Sequence, residues 1–296
     1  MNYKLILDTD IGTDVDDAWA LALCLASKEI DLLGITLVHA DLETRAKITL
    51  KMLKQAKRED VPVYKGLSET ITPNGKMFWG NFEGEGVDFS DINLDVIKDN
   101  AVDYILETIE ANPNEIVLCA IGPLSNVAKA IQKSPETMKK LKKLVIMGGV
   151  YRGDGKQFAD PEHNVCVDPV ATKIVLESGI PAVVIGLNVT TQVVIKREDL
   201  RDIQHTELGD TLALMTHQYF SLRSRSYTFM HDVLAVHSII DESVITTEPK
   251  SAEVLEDGRI VYSSDGVLDV AVDVDAQKAE ETLIARVSEL VGAPVA

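Results

Sequence analysis

The sequence predicts an α/β protein: a single domain built on a largely parallel, doubly wound sheet, with helices on both faces and a small C-terminal β-excursion. Three observations carry that prediction. Apolar runs of strand length alternate with longer segments of helical periodicity over roughly the first two thirds of the chain. Polar or glycine-rich punctuation follows each apolar run, as βα turns require. No linker composition and no internal repeat divides the 296 residues, so 1–296 is read as one domain.

The elements follow in order. "YKLILDT" reads as a buried strand, "DDAWALALCLAS" as a helix, "DLLGITLVHA" as a strand and "LETRAKITLKMLKQAKR" as an amphipathic helix. "VPVYKG" is a short strand. Residues 67–93, rich in Gly, Asn, Pro and aromatics, form a connection longer than packing needs, and such loops tend to carry function. A helix is expected over about 95–111, then the strand "EIVLCAIG", the helix "PLSNVAKAIQKS", the strand "KLVIMGG" and a second long loop to 163. The helix "DPVATKIVLESG" and the strand "PAVVIGL" close the alternating part. From 196 to about 241 the pattern is mostly helical. "AEVLEDGRIVYSSDGVLDVAVDVD" reads as the β-excursion, and a last helix spans 275–291.

Composition bounds the function. Hydrophobic residues make up 46%, enough for a large core. A net charge of −18 argues against nucleic acid, which needs a basic stripe, and "MKKLKKL" at 138–144 reads as the solvated end of a helix. Neither a secretory signal nor an 18-residue apolar run is found, so a cytoplasmic protein without membrane attachment is expected. Cys24, Cys119 and Cys166 are odd in number and far apart, which reads as reduced thiols.

Ligands of open parallel sheets bind beyond the carboxyl ends of the strands. The punctuation there comprises Asp8 to Asp17, His39 to Asp41, Gly122 to Asn126, Gly148 to Asn164 and Asn188 to Gln192. The first is the most unusual: "LILDTDIGTDVDDAWALAL" sets five carboxylates in ten residues with no Lys or Arg among them. A helix N-terminus favours an acid by only about 0.3–1 kcal/mol. Capping can therefore explain Asp14 and Asp16 but not all five. Carboxylates so crowded must protonate, splay into water or bind a cation, and oxygen-only ligands select Ca²⁺ or Mg²⁺ over zinc. An EF-hand loop beginning at Asp8 fails, since Thr13 and Trp19 stand where Gly and Glu are needed. A Mg²⁺-dependent phosphatase of the strand-D-x-D type fits "LILDTDIGT" but is disfavoured by Gly12.

"DTDIGTDVDDAWAL" resembles the N-terminal fingerprint of the nucleoside hydrolases, the inosine–uridine-preferring type. The resemblance continues in family order through "GITLVHAD", "IGPLSNVAKAI", "LVIMGG", "PEHNVCVDPVA", "MHDVLAV" and "VAVDVDAQKA". It implies hydrolysis of the N-glycosidic bond of a ribonucleoside, to free base and ribose, with Ca²⁺ as cofactor. Carried over residue by residue, it implies that Asp10 is both a calcium ligand and the base that deprotonates a calcium-bound water. It further implies that Asp17, Asp232 and the Ser125 main-chain carbonyl complete the ion's shell, and that Asp16 holds the ribose hydroxyls. Glu162 and Asn164 would grip the sugar from the other side, Asp41 would stand where the family usually has Asn, and His231 would sit near the leaving base. The chemistry of the residues agrees: carboxylates stabilise an oxocarbenium-like sugar, and a divalent ion lowers the pKa of its water. Trp79, Phe78 or Phe82 could stack on the base, and the family implies a homo-oligomer, dimer or tetramer. Asp8 is read as support and Asp14 is left unassigned; Arg223, Arg225 and Tyr227 either cover the base pocket or form a solvated face.

Two departures bear on substrate. In "GDGKQFADPEHN", Lys156 occupies a position where the family carries Asn, and His163 replaces an aromatic. These leave open a second class of function, a nucleoside- or ribose-binding protein that has drifted from catalysis.

Overall fold

Strand 1 shows how the sheet is built. In β1 (Tyr3–Thr9) Leu5 and Leu7 point into one apolar layer and Ile6 into the other, as the two-residue period of a strand requires. A strand buried on both faces has no polar side to show, which is why its sequence is continuously apolar. The computed structural model describes residues 2–151, 161–204 and 206–292.

The alternation continues through α1 (Asp16–Ala26), β2 (Ile30–Leu37), α2 (Leu42–Gln55), β3 (Val63–Lys65), α3 (Ala101–Ala111), β4 (Ile116–Ala120), α4 (Ser125–Lys133) and the short α5 (Pro135–Met138). After β5 (Lys143–Met147) come α6 (His163–Val167), α7 (Pro169–Leu176), β6 (Ala182–Ile185) and α8 (Leu187–Thr190). The remainder comprises β7 (Val194–Lys196), α9 (Glu207–Leu222), β8 (Tyr227–Phe229), α10 (His231–Ile240), β9 (Ile245–Val254), β10 (Ile260–Ser264), β11 (Leu268–Val274) and α11 (Ala276–Leu290). Nine strands form one sheet in the order β10-β9-β11-β6-β5-β4-β1-β2-β3. The strands from β3 to β6 are parallel throughout. Helices α1, α2, α9, α10 and α11 cover one face, and α3, α4 and α7 cover the other. Among the described residues, no helix is long and apolar enough to cross a membrane.

The C-terminal β-excursion joins the main sheet: β11 pairs parallel to β6, and β9 antiparallel to β11. One expectation needs correction. The helix expected from 95 begins at Ala101, because Asn100 adopts a left-handed φ of 68° and breaks the turn before it. The 138–144 segment runs on from the end of α5 at the surface, where Lys139, Lys140 and Lys143 pair with Glu136, Glu110 and Glu242.

A buried carboxylate closes one side of the fold. Asp168, between α6 and α7, accepts the Ile71 and Thr72 N–H groups at 2.7 and 3.0 Å, the Thr72 and Ser125 hydroxyls at 2.6 Å each, and the Ala171 N–H at 3.1 Å. It thus ties the start of the 67–93 connection to α4 and α7. Asp168→Ala leaves those buried donors without a partner, each worth about 1–3 kcal/mol. We expect a loss of roughly 3 kcal/mol or more in urea unfolding at unchanged m; a change within 0.5 kcal/mol, the ordinary range of surface substitutions, would contradict this account.

Candidate active site at the carboxyl edge of the sheet

The order β3-β2-β1-β4-β5-β6 reverses direction between β1 and β4, and doubly wound sheets bind ligands at that crevice. Two glycines let the chain close around it. Gly12 has φ +125°, a backbone that side-chain-bearing residues avoid. At Gly122 a Cβ would stand 2.7 Å from Asp10 Oδ1, so the turn after β4 can approach the turn after β1 only without a side chain. Beneath them Asn126 donates to Asp8 Oδ2 at 2.7 Å and to the Leu37 carbonyl at 3.1 Å, while accepting the Leu67 N–H at 2.9 Å. Asp8 therefore lies under the site as a strut, and burial pushes its carboxyl up to about 7.

The crevice is a cleft of about 630 Å³, within the range of small-molecule sites. At its acidic end Asp16 and Asp17, in the first turn of α1, meet Asp232, in the first turn of α10. One carboxylate oxygen from each lies within 4.8 Å of the others, and all three residues are buried. Asp17 accepts the Thr9 hydroxyl, and Asp16 accepts the Asp232 N–H at 3.2 Å. Burial pushes Asp16 up to about 7, with the Asp14 charge adding to it. Burial also raises Asp17 and Asp232 well above the carboxylate range; the charges of Asp10 and Asp16 raise Asp17 further, and those of Asp16, Asp17 and Asp10 raise Asp232. Among the described residues, two guanidinium groups nearby face other acids: Arg45 lies 3.7 Å from Asp10 and Arg223 lies 3.2 Å from Asp14. The donor set is all oxygen, convergent and buried, which suits a hard divalent cation.

Asp10 lines the same cleft beside this cluster and is not one of its three convergent members. Glu162 and Asn164 line the cleft as well. Glu162 caps α6, accepting the N–H groups of Asn164, Val165 and Gly149 at 2.9, 3.2 and 3.1 Å. Asn164 donates to the Ile121 and Met147 carbonyls at 2.8 and 3.3 Å. Aromatic side chains share the cleft: Phe78, Trp79 and Phe82 line it with His163, whose ring centroid is 4.8 Å from that of Phe78. His231 lines it too. Its Nδ1 is 2.7 Å from the Thr190 hydroxyl, and burial holds its ring down at about 4. The neutral ring keeps Nε2 for a ligand.

Two expected residues do not line the cleft. Asp41 caps α2, with one oxygen accepting the Glu43 and Thr44 N–H groups and the other the Thr44 hydroxyl. It is exposed, and its oxygens serve the helix. Ser125 opens α4, where a carbonyl is directed along the helix, and its hydroxyl goes to Asp168. Ile121, just past β4, lines the cleft, and its carbonyl accepts the Asn164 amide. Asp14 proves to be a wall residue paired with Arg223, which also lines the cleft. Arg225 and Tyr227 lie outside the lining and stack on one another at 5.6 Å. Lys156 falls outside the described residues.

Known proteins share this sequence pattern and this fold. Residues 5–281 match the family model described as inosine-uridine preferring nucleoside hydrolase. An uncharacterized protein of Schizosaccharomyces pombe is 38% identical over 64% of this chain and 62% of its own length. The pyrimidine-specific ribonucleoside hydrolase RihB of Escherichia coli is 36% identical over 64% of this chain and 61% of its own. The match to these relatives thus spans less than two thirds of their length. Among solved structures, a purine-preferring ribonucleoside hydrolase from Gardnerella vaginalis superposes with a TM-score of 0.84 at 29% identity, covering 97% of this chain and 99% of that one.

The state of His231 is directly measurable. Its lowered pKa means that the ring gains a proton only as pH falls towards about 4. Imidazole ¹⁵N shifts should report a neutral ring from pH 6 to 8, and a midpoint near 6.5 would contradict the burial argument.

Proposed function

The chain belongs to the inosine-uridine preferring nucleoside hydrolase family, and from that premise we propose that it hydrolyses the N-glycosidic bond of ribonucleosides, releasing free base and ribose, with Ca²⁺ as cofactor. The observation that carries this reading is the make-up of the cleft, in which three convergent buried carboxylates share one lining with aromatic side chains. A ribonucleoside carries the matching groups, with vicinal hydroxyls on the sugar and a flat apolar face on the base.

Asp17 and Asp232 would hold the ion together with Asp10 and the Ile121 carbonyl, leaving Asp16 to accept hydrogen bonds from the ribose hydroxyls. When bound there, Ca²⁺ supplies Lewis acidity towards water and towards vicinal hydroxyls. Asp10 is the base in this reading, because it lines the cleft beside the cluster. Glu162 and Asn164 close the sugar site from the far wall, and the surrounding negative charge favours a sugar that becomes cationic as the bond breaks. Neutral His231 can donate a hydrogen bond to the leaving base through Nε2 while Thr190 holds Nδ1. It acts in this reading as a hydrogen-bonding group and not as an imidazolium acid. No covalent nucleophile is needed. The preferred base is set in this reading by the side chains that line the cleft around the sugar site, among them Phe78, Trp79, Phe82 and His163.

Proton and ion compete for the same carboxylates, which fixes the sign of a pH effect. Asp16 titrates at about 7 in the fold against 3.8 ordinarily, so the stability of its protonated form is complete below pH 4 and lost as pH rises through 7. Asp17 and Asp232 shift in the same direction. The rise in Tm on adding Ca²⁺ should therefore be small at pH 5 and large at pH 8. An equal rise at both, or none, would count against an ion at this cluster.

Activity is tested with a panel of purine and pyrimidine nucleosides assayed for free ribose, with and without chelator. Release should occur and be lost on chelation. Ca²⁺ binding without release would favour a binding protein, and phosphate release from monoesters a phosphatase. Asp10→Asn should lower kcat by roughly 10²–10⁴-fold, the usual contribution of a general base, with the far-UV spectrum unchanged. Turnover like the wild type would remove Asp10 from the role.

A further inference from the structure

The aromatic wall at residues 78–83 is neither strand nor helix, yet groups from the interior hold it. Glu83 accepts the Gly80 N–H at 2.8 Å and the Thr13 hydroxyl at 3.2 Å through Oε1, and the Phe82 N–H at 2.9 Å through Oε2. His39 Nε2 accepts the Phe78 N–H at 3.3 Å. Trp79 lies over the Arg45 guanidinium, whose carbon is 5.1 Å from the ring centroid.

Arg45 joins these contacts. It is fully buried on α2, and its Nε donates to the His39 carbonyl at 2.7 Å and its Nη1 to the Ile11 carbonyl at 2.9 Å. Nη2 reaches the Thr13 hydroxyl at 3.5 Å and lies 3.7 Å from Asp10 Oδ2. A guanidinium buried for the sake of an ion pair would make short bidentate bonds to its carboxylate. Here the short bonds go to main-chain carbonyls in two separate turns. One of those turns contains His39 and Ala40, both left-handed at φ 67° and 59°, a conformation that persists only where neighbours enforce it.

We propose that Arg45 is a positioning residue that locks the 78–83 wall onto the turn carrying Asp10, so that the base is held at a fixed distance from the acidic end. Its meaning for catalysis rests on the nucleoside-hydrolase reading above; the anchoring itself does not. A lysine keeps the charge but cannot donate in the two directions that the carbonyls of His39 and Ile11 require, nor lie flat against an indole.

The test uses Arg45→Lys, with Glu83→Gln as a second cut in the same network that leaves Arg45 in place. Three quantities are read: KM for inosine and uridine, inhibition by D-ribose, and the emission of Trp79. The last is obtained as the difference from a Trp79→Phe protein, because Trp19 also emits. Loss of an ordered stacking wall should raise KM for both nucleosides roughly ten-fold. Ribose inhibition should be unchanged, and Trp79 emission should shift to the red and quench more readily with acrylamide in both variants. Unchanged Trp79 emission in both variants would overturn the proposal. So would a loss of ribose inhibition in step with the nucleosides, which would make Arg45 a support of the whole site. If the wild-type protein cleaves no nucleoside, the functional reading fails, while the Trp79 signal still decides whether Arg45 holds the wall.

Discussion

Asp16, Asp17 and Asp232 hold carboxylate oxygens within 4.8 Å of one another, buried, at the N-termini of two helices. Two full charges about 4 Å apart repel by roughly 4 kcal/mol at an effective dielectric near 20. A helix N-terminus returns only about 0.3–1 kcal/mol per acid. The deficit is met by protonation, which the raised pKa of all three acids expresses, or by a cation. Either way, positive charge has to sit among these acids, and in the function proposed above it is the ion that supplies it. That is the physical content of the proposed Ca²⁺ dependence.

The sheet makes this crowding possible. Placing β1 next to β4 brings the turns after them together, and Gly12 and Gly122 remove the atoms that would keep them apart. Three polar side chains beneath the site satisfy main-chain groups that no regular element pairs. Asn126 joins the turns after β2 and β3 to β1, Asp168 secures the start of the long connection, and Arg45 secures its aromatic middle. The binding wall is thus irregular in backbone yet fixed, as a site built on connections has to be.

The position of a residue near a strand end was legible in the sequence; what its side chain does there often was not. Asp10, Asp16, Asp17, Glu162, Asn164, Trp79, His231 and Asp232 all line the cleft. Asp41 and Ser125 lie equally close to strand ends but spend their polar groups on a helix cap and on Asp168. Arg45 offered one clue, a charge in register with Ile48, Thr49 and Met52 on the buried face of α2. Periodicity could place it inside but could not name its acceptors, which come from residues 11, 13 and 39.

By itself, then, the sequence determined the α/β alternation, the loops that carry chemistry and the acidic excess at the first of them. Each of these follows from side-chain period and from charge spacing along the chain. Only the tertiary structure decided that the last strands join the main sheet, that Asp232 meets Asp16 and Asp17, and that Asp10 stands beside them. The first depends on pairing between strands far apart in the chain, and the meeting of Asp232 with Asp16 on packing between helices 216 positions apart, where no local pattern reaches.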